Sequence, residues 1–327
     1  MQAILKFCAK YGRILNGCLL VVAILFPLAV KSAYLVRLGI TCLMYAALAL
    51  SLNLVIGNLG QMSMGHAAFW GIGAYTAAIL STRLGVGSVG TILAAIVVVG
   101  IFSMLLGIPV LKLKGYYLTV VTLGFCEIIR LVELNWNSLT RGALGISRIP
   151  PFRFLGITMK DKVSVFYIAL AMLVFTILLL RTLLNSRQGL AIMAIRDDEI
   201  AAASVGIHVF HHKMMAFTIS GMIAGMMGAF YAHYASYIDS TLFTTGQSMN
   251  FAIFAIFGGL GSIPGAVGGS ILLTVLPESL RSLDSYRTFL YGVIIVIVML
   301  VKPDGILGKV NFKYIAQRMN MEKEDQD

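Results

Sequence analysis

The feature that most constrains this chain is a succession of apolar runs, each close to the thickness of a bilayer and joined by short polar links. A helix needs roughly 20 apolar residues to cross the hydrocarbon core. Runs that reach or approach that length are 14–30, 33–56, 62–81, 89–111, 116–134, 163–180, 214–238, 247–257, 265–280 and 288–301, the eighth and ninth being short. The expected fold is all-α: a polytopic integral membrane helical bundle of about ten transmembrane segments, some short or broken. An even number of spans places both termini on one side. If the chain starts inside, the polar stretch 182–213 and the tail 302–327 are both cytoplasmic, and residues 1–327 form a single transmembrane domain.

Composition argues the same way. Hydrophobic residues are 59% of the chain and charged residues 12%, well below the roughly 25% charge of soluble domains. The 33 glycines and 17 methionines suit closely packed membrane helices. The formal net charge of +11 is spread over short loops. That pattern fits positive-inside orientation and attraction to anionic membrane lipid, and it does not fit a nucleic-acid patch. The short turn with Lys112 and Lys114 is the clearest cytoplasmic marker. Lys6, Lys10 and Arg13 precede the first run as in a signal peptide, but Lys31 follows without a small-residue cleavage pattern, so an uncleaved first helix is expected. Cys8, Cys18, Cys42 and Cys126 have no CxxC spacing, which indicates buried thiols and neither zinc site nor disulfide framework.

Polar residues inside the apolar runs carry the functional signal, because each is costly in hydrocarbon. Asn53, Asn58, Gln61, Ser63 and His66 alternate with Gly57, Gly60 and Gly65. A helix broken there would turn backbone N–H and C=O groups toward a cavity able to hold the carboxylate and ammonium of an amino acid. The alternative is hydrogen bonding between closely packed helices. A second glycine interruption, 257–265, lies in the other half, and paired interruptions point to a site near mid-membrane. Glu127 and Arg130 are spaced i, i+3 and can neutralise each other, with Glu133 continuing toward the outer end. The candidate translocation path is Asn53, Gln61, Ser63, Gly65, His66, Glu127 and Asn250. Trp70, Trp136, Tyr231, Tyr234 and Tyr237 are expected at membrane interfaces. The loop 136–162, with its glycines, prolines and arginines, is expected outside and exposed, where it could meet a binding protein.

No catalytic set is visible, so the chain is not expected to be an enzyme. The glycine run 258–265 lacks the lysine of a P-loop. Ser63 and His66 have no acid placed to orient the histidine. His208, His211 and His212 are spaced for one helix face but have no Cys or Asp ligand nearby, and no metal site is expected. The polar segment 189–207, GLAIMAIRDDEIAAASVGI, reads as a short helix outside the bilayer. Asp197 can cap it, with Asp198 and Glu199 in the first turn. Three alanines allow close approach by another protein, and Gly206 suits the helix end.

Glu199, Ala201, Ala202, Ala203 and Gly206 resemble the acid–alanine–alanine…glycine loop of bacterial ABC-importer permeases. Residues 52–69 (LNLVIGNLGQMSMGHAAF), 115–125 (GYYLTVVTLGF), 257–265 (FGGLGSIPG) and 302–308 (KPDGILG) resemble the signatures of branched-chain amino-acid permeases. The likeness runs from about 46 to 308 and is greatest to the LivM-type branch of that family. The resemblance implies a permease subunit in a bacterial inner membrane carrying leucine, isoleucine and valine by alternating access. It implies Arg196, Asp197, Asp198, Glu199, Ala202 and Gly206 as the ATPase-coupling loop. It also implies a second, LivH-type permease subunit, two cytoplasmic ATPase subunits and a periplasmic or lipid-anchored substrate-binding protein. ATP and Mg would be used by the ATPases, with no cofactor on this chain. The alternatives are a permease of the same family for urea, amides or other small solutes, and a stand-alone secondary transporter.

Overall fold

The computed structural model describes residues 21–30, 32–113, 115–154, 157–158, 161–280, 286–302 and 305–306. Residues 14–20 of the expected first span lie outside these, residues 21–29 being helical, and so does nearly all of the expected cytoplasmic tail. The main helices are α1 (Ala33–Asn53), α2 (His66–Arg83), α3 (Ser88–Val110), α4 (Tyr116–Asn135), α5 (Lys162–Leu184), α6 (Arg187–Asp197), α7 (Glu199–Ser204), α8 (Val209–Ala235), α9 (Thr245–Gly258), α10 (Ile263–Ser279) and α11 (Arg287–Val301). Every expected run from 33 onward therefore lies largely on a helix. α1 continues through a π-type turn, Leu54–Asn58. Among the described residues four elements are both long and apolar enough to cross a membrane: α1 with its π turn, α3, α5 and α8. The chain is a multi-pass helical membrane protein.

α8 and the second half of α1 form the buried axis. Residues 46–59 of α1 and its π turn are buried without a break. α8 packs on α2 and α3 with close backbone approach at its glycines, beside ring contacts such as Phe69–Phe217 at 5.6 Å. A Cβ added at Gly73 would stand 2.5 Å from Gly225 Cα, and one at Gly228 would stand 2.7 Å from Ala74 N. Lipid tails are as apolar as leucine, so helices in a bilayer gain little from hiding hydrophobic surface and associate through such close approach. The outer helices instead expose apolar side chains, as Leu93, Val97 and Leu105 do on α3 and Phe289 and Val296 on α11.

Trp70 does not sit at an interface as expected. It is 1% exposed, with Phe243, Tyr231 and Phe251 ring centroids at 4.8, 5.1 and 5.8 Å. Its helix is buried along most of its length between α3, α8 and α9, which leaves no headgroup-facing position for the indole. Trp136 and Tyr237 do remain exposed.

The 136–162 loop is tied down more than its glycines and prolines suggest. β1 (Ile146–Ser147) pairs with β4 (Tyr237–Ile238), and β2 (Arg153–Phe154) pairs with β3 (Ile157–Thr158), both antiparallel. Ile149 N–H donates to Ser236 O at 3.2 Å. His233 Nδ1 lies 2.7 Å from Pro150 O. Ile146, Ile149 and Phe152 are buried against the bundle.

Candidate functional site

The polar segment folds as two helices, α6 and α7, with a corner at Asp198. Ser186 Oγ accepts from Gly189 N–H at 3.4 Å and caps α6, whose Ile192 and Ile195 are buried. The corner corrects the expected cap by one residue. Asp197 is the last residue of α6, and Asp198 has the extended backbone that an N-cap requires. Asp198 Oδ1 accepts from Ile200 N–H at 2.8 Å and Ala201 N–H at 3.0 Å. Those donors, Ala201 first, hold its carboxyl below the ordinary carboxylate range. Glu199 alone is then the first-turn acid.

At the other end Gly206 has φ +87°. Its N–H donates to Ala203 O at 3.1 Å, and Ile207 N–H reaches Ala202 O at 3.2 Å, the paired bonds that close a helix through a left-handed residue. Ala202 packs inward, while Ala201 and Ala203 face out. Ile200 and Val205 are each 76% exposed. A capped six-residue helix thus presents two large apolar side chains and two methyl groups to whatever lies beyond the bundle. Glu199 is not free for a partner: its Oε2 accepts from Lys213 Nζ of α8 at 2.8 Å.

The two glycine interruptions meet each other, at the end of the bundle that carries α6. Asn53 joins them: its Oδ1 accepts from Gly261 N–H at 3.0 Å and its Nδ2 donates to Ser262 O at 3.2 Å. Gly57 packs on Asn53 and Gly261 with no room for a Cβ. The Arg196 side chain of α6 lies over both turns. A Cβ at Gly60 would stand 3.1 Å from Arg196 Cγ, and one at Gly261 would stand 3.2 Å from its Nη1. Gly60 and Gly261 both have positive φ, which glycine alone adopts freely.

The two breaks lie at the end of α1 with its π turn and between α9 and α10. Gly60 and Gly261 lie where the chain reverses between helices, and only the stretch from Gln61 to Gly65 re-enters the bundle. His66, the first residue of α2, is level with Ser51, seven residues before Asn58, hence about 10 Å inside the end of α1 and its π turn.

The re-entrant stretch is held by neighbours. Met64 N–H donates to Thr122 Oγ1 and Thr119 Oγ1 donates to Met62 O, both at 3.0 Å. Gly65 lies against Thr122 O, where a Cβ would stand 3.0 Å away. Ala67 N–H donates to Ser248 Oγ of α9 at 2.8 Å. His66 Nε2 lies 2.6 Å from Ser51 Oγ, and Ser220 Oγ of α8 donates to Ser51 O at 2.6 Å. Asn53, Ser63, Gly65 and His66 are therefore buried packing groups in this conformation, while Gln61 is half-buried beside exposed Met62.

Glu127 and Arg130 form the expected ion pair on α4, with Arg130 Nε at 2.9 Å from Glu127 Oε1, and both are partly exposed. Asn250 donates to Gln247 at 3.3 Å on a partly exposed face of α9. Glu133 leaves the Glu127 face and points into the core. It is 4% exposed, and neither carboxylate oxygen has a hydrogen-bond partner among the described residues; the same holds for Tyr75 Oη and Trp70 Nε1. A Cβ at Gly71 would stand 2.5 Å from Glu133 Oε1. Sequence reading missed Lys213 and Glu133 as site residues. Lys213 counts as one more loop cation until its burial is seen, though a cation on the edge of an Ala, Gly and Met-rich helix is the available signal. Among the described residues no cluster of three or more His, Cys, Asp or Glu is placed to hold a metal.

Comparison with known proteins bears on this arrangement. The family model described as branched-chain amino acid transport system / permease component matches residues 34–300. The high-affinity branched-chain amino acid transport system permease protein LivM of Salmonella typhimurium is 33% identical over 312 residues, covering 88% of this chain and 73% of that protein. LivM of Escherichia coli matches with the same identity and coverage. The LivH permease protein of Escherichia coli is 27% identical over 303 residues, 84% of this chain and 93% of that one. No solved structure matches. With the family model spanning most of the helices and LivM aligned to 88% of this chain, the chain belongs to the branched-chain amino-acid transport-system permease family.

Proposed function

We propose that this chain is the membrane-spanning permease subunit of an ABC importer in a bacterial inner membrane. It carries leucine, isoleucine and valine delivered by a periplasmic or lipid-anchored binding protein. The observation that carries this reading is α7: a capped helix beyond the bundle, with Ile200 and Val205 exposed and small residues between them. Exposed apolar groups of this kind mark a protein contact, and the occupant is one of two cytoplasmic ATPase subunits, which bind the ATP and Mg. Arg196, Asp197, Asp198, Glu199, Ala202 and Gly206 form the coupling segment. Arg196 supports it by lying over both chain reversals, which Asn53 joins to each other.

The translocation path runs along the face of Gln61, Glu127 and Asn250, with Asn53, Ser63, Gly65 and His66 behind it. A partly exposed Glu127–Arg130 pair is costly against lipid, so a second, LivH-type permease subunit covers it and completes the path. The outer 136–162 loop, fixed to the end of α8, is where the binding protein docks. The test is ATP-dependent uptake by vesicles holding the chain with candidate ATPase, permease and binding-protein partners, with Ile200→Glu as the variant that detaches the ATPases.

A stand-alone secondary transporter has one observation in its favour, the buried unpartnered carboxyl of Glu133. Uptake driven by an ion gradient in vesicles without ATP would support that reading.

A further inference from the structure

Lys213 is one of the largest fully buried side chains of the protein, 1% exposed, in the fifth position of α8. A lysine is rarely buried unless its ammonium is paired. Its partner among the described residues is Glu199 Oε2, at 2.8 Å, in the first turn of α7. The pair is asymmetric: the lysine is sealed in the bundle while the Glu199 side chain is about one-third exposed. α7 is too short to hold a position by itself, and among the described residues nothing covers its outward side chains Ile200 and Val205. The ion pair therefore fixes α7 against α8.

The same face of α8 continues inward. Ser220 follows Lys213 by seven residues, two helical turns, and donates to Ser51 O, while Ser51 Oγ contacts His66 at the start of α2. We propose that Lys213 is a positioning residue for energy coupling: it ties α7 to α8 so that displacement of α7 is carried through Ser220 and Ser51 to the re-entrant stretch before α2. This rests on the reading of α6 and α7 as the ATPase-coupling segment.

The experiment uses the complete transporter, co-purified with its ATPases and reconstituted in vesicles. It compares Lys213→Met, Glu199→Gln and the exchanged pair Glu199→Lys with Lys213→Glu, with Ile200→Glu as a marker of ATPase docking. Lys213→Met keeps the apolar stem. It is expected to leave ATPase co-purification and ATP hydrolysis in place while uptake per ATP falls about tenfold, within the roughly 5–150-fold range of couplings between sites. Glu199→Gln is expected to show the same loss, and the exchanged pair to recover at least part of it. A purely structural lysine would lower the amount of folded complex and leave uptake per ATP unchanged. That outcome overturns the proposal, as does an exchanged pair that folds and docks its ATPases yet recovers nothing. If Lys213→Met does not reach the membrane, Glu199→Gln decides alone. If Ile200→Glu retains its ATPases in full, the coupling segment itself is misassigned; if it loses them while Lys213→Met stays fully coupled, only the role of Lys213 fails.

Discussion

Asn53→Ala is the perturbation that reads most directly on how the two halves of the bundle are joined. Asn53 is buried at the end of α1 and makes two hydrogen bonds to the α9–α10 turn, from Gly261 N–H and to Ser262 O. Ser262 O keeps a second partner, Ala266 N–H at 3.0 Å, so truncation costs that carbonyl only one net bond, about 0.5–1 kcal/mol. Gly261 N–H is left without an acceptor, which adds about 1–3 kcal/mol. The sum is about 1.5–4 kcal/mol, large beside the stability of an ordinary domain. Because the Arg196 side chain rests on the same turn, α6 loses its seat and uptake falls as well. The assay is thermal unfolding of the purified protein in detergent, beside Asn135→Ala. Asn135 is exposed and bonds only Leu131 O of its own helix, and is expected to stay within about 0.5 kcal/mol of the parent. If Asn53→Ala unfolds with Asn135→Ala and transports normally, the junction does not hold the halves together and the reasoning fails.

Three further expectations follow from the same contacts. Gly206→Leu meets no neighbour within 4 Å but forces a left-handed backbone at about 1 kcal/mol or more; the subunit should insert and fold, with reduced ATPase co-purification and uptake, and full retention of both would count against the coupling segment. Single cysteines at positions 61 and 66, in a chain without native thiols, should differ: position 61 modified by a small thiol reagent at a rate that changes with ATP, position 66 protected in the resting state by its contact with Ser51, and equal rates would place both residues on one surface. The Asp198 carboxyl is held low by amide donors, so its contribution is complete above the ordinary carboxylate range and is lost as pH falls through its depressed native value; the protection of the Ile200 and Ala201 amides, measured as exchange relative to an unfolded peptide at the same pH, should hold from neutral pH down to that range and fall only below it, whereas loss of protection near neutrality would contradict the cap.

Much of this architecture was legible in the sequence because the bilayer imposes length. Each apolar run from 33 onward lies largely on a helix, and the Glu199–Gly206 pattern marks a short capped helix whatever it docks to. What the sequence hid was decided by neighbours far along the chain. Asp197 and Asp198 are equivalent as caps until the backbone turns, and the turn follows from how Ile192 and Ile195 of α6 bury. Trp70 reads as an interface anchor until α8 and α9 close over α2. Lys213 reads as one more positive-inside charge, since nothing local shows that Glu199 will fold back onto it. The meeting of the two glycine breaks depends on Asn53 reaching a turn more than two hundred residues away, which no local pattern contains. Glu133 looked like a continuation of the Glu127–Arg130 face, but six residues of helix leave it about 120° around from Glu127, toward Gly71 and the core.

The central claim, that this chain moves branched-chain amino acids using ATP bound elsewhere, is tested by leucine uptake into sealed vesicles containing the chain, its second permease subunit, the ATPases and the binding protein. The account predicts accumulation of leucine that requires ATP and the binding protein, is abolished by vanadate, and is competed by isoleucine and valine. Accumulation driven by a proton or sodium gradient without ATP, or ATP-dependent accumulation of urea or an amide with none of leucine, would contradict it.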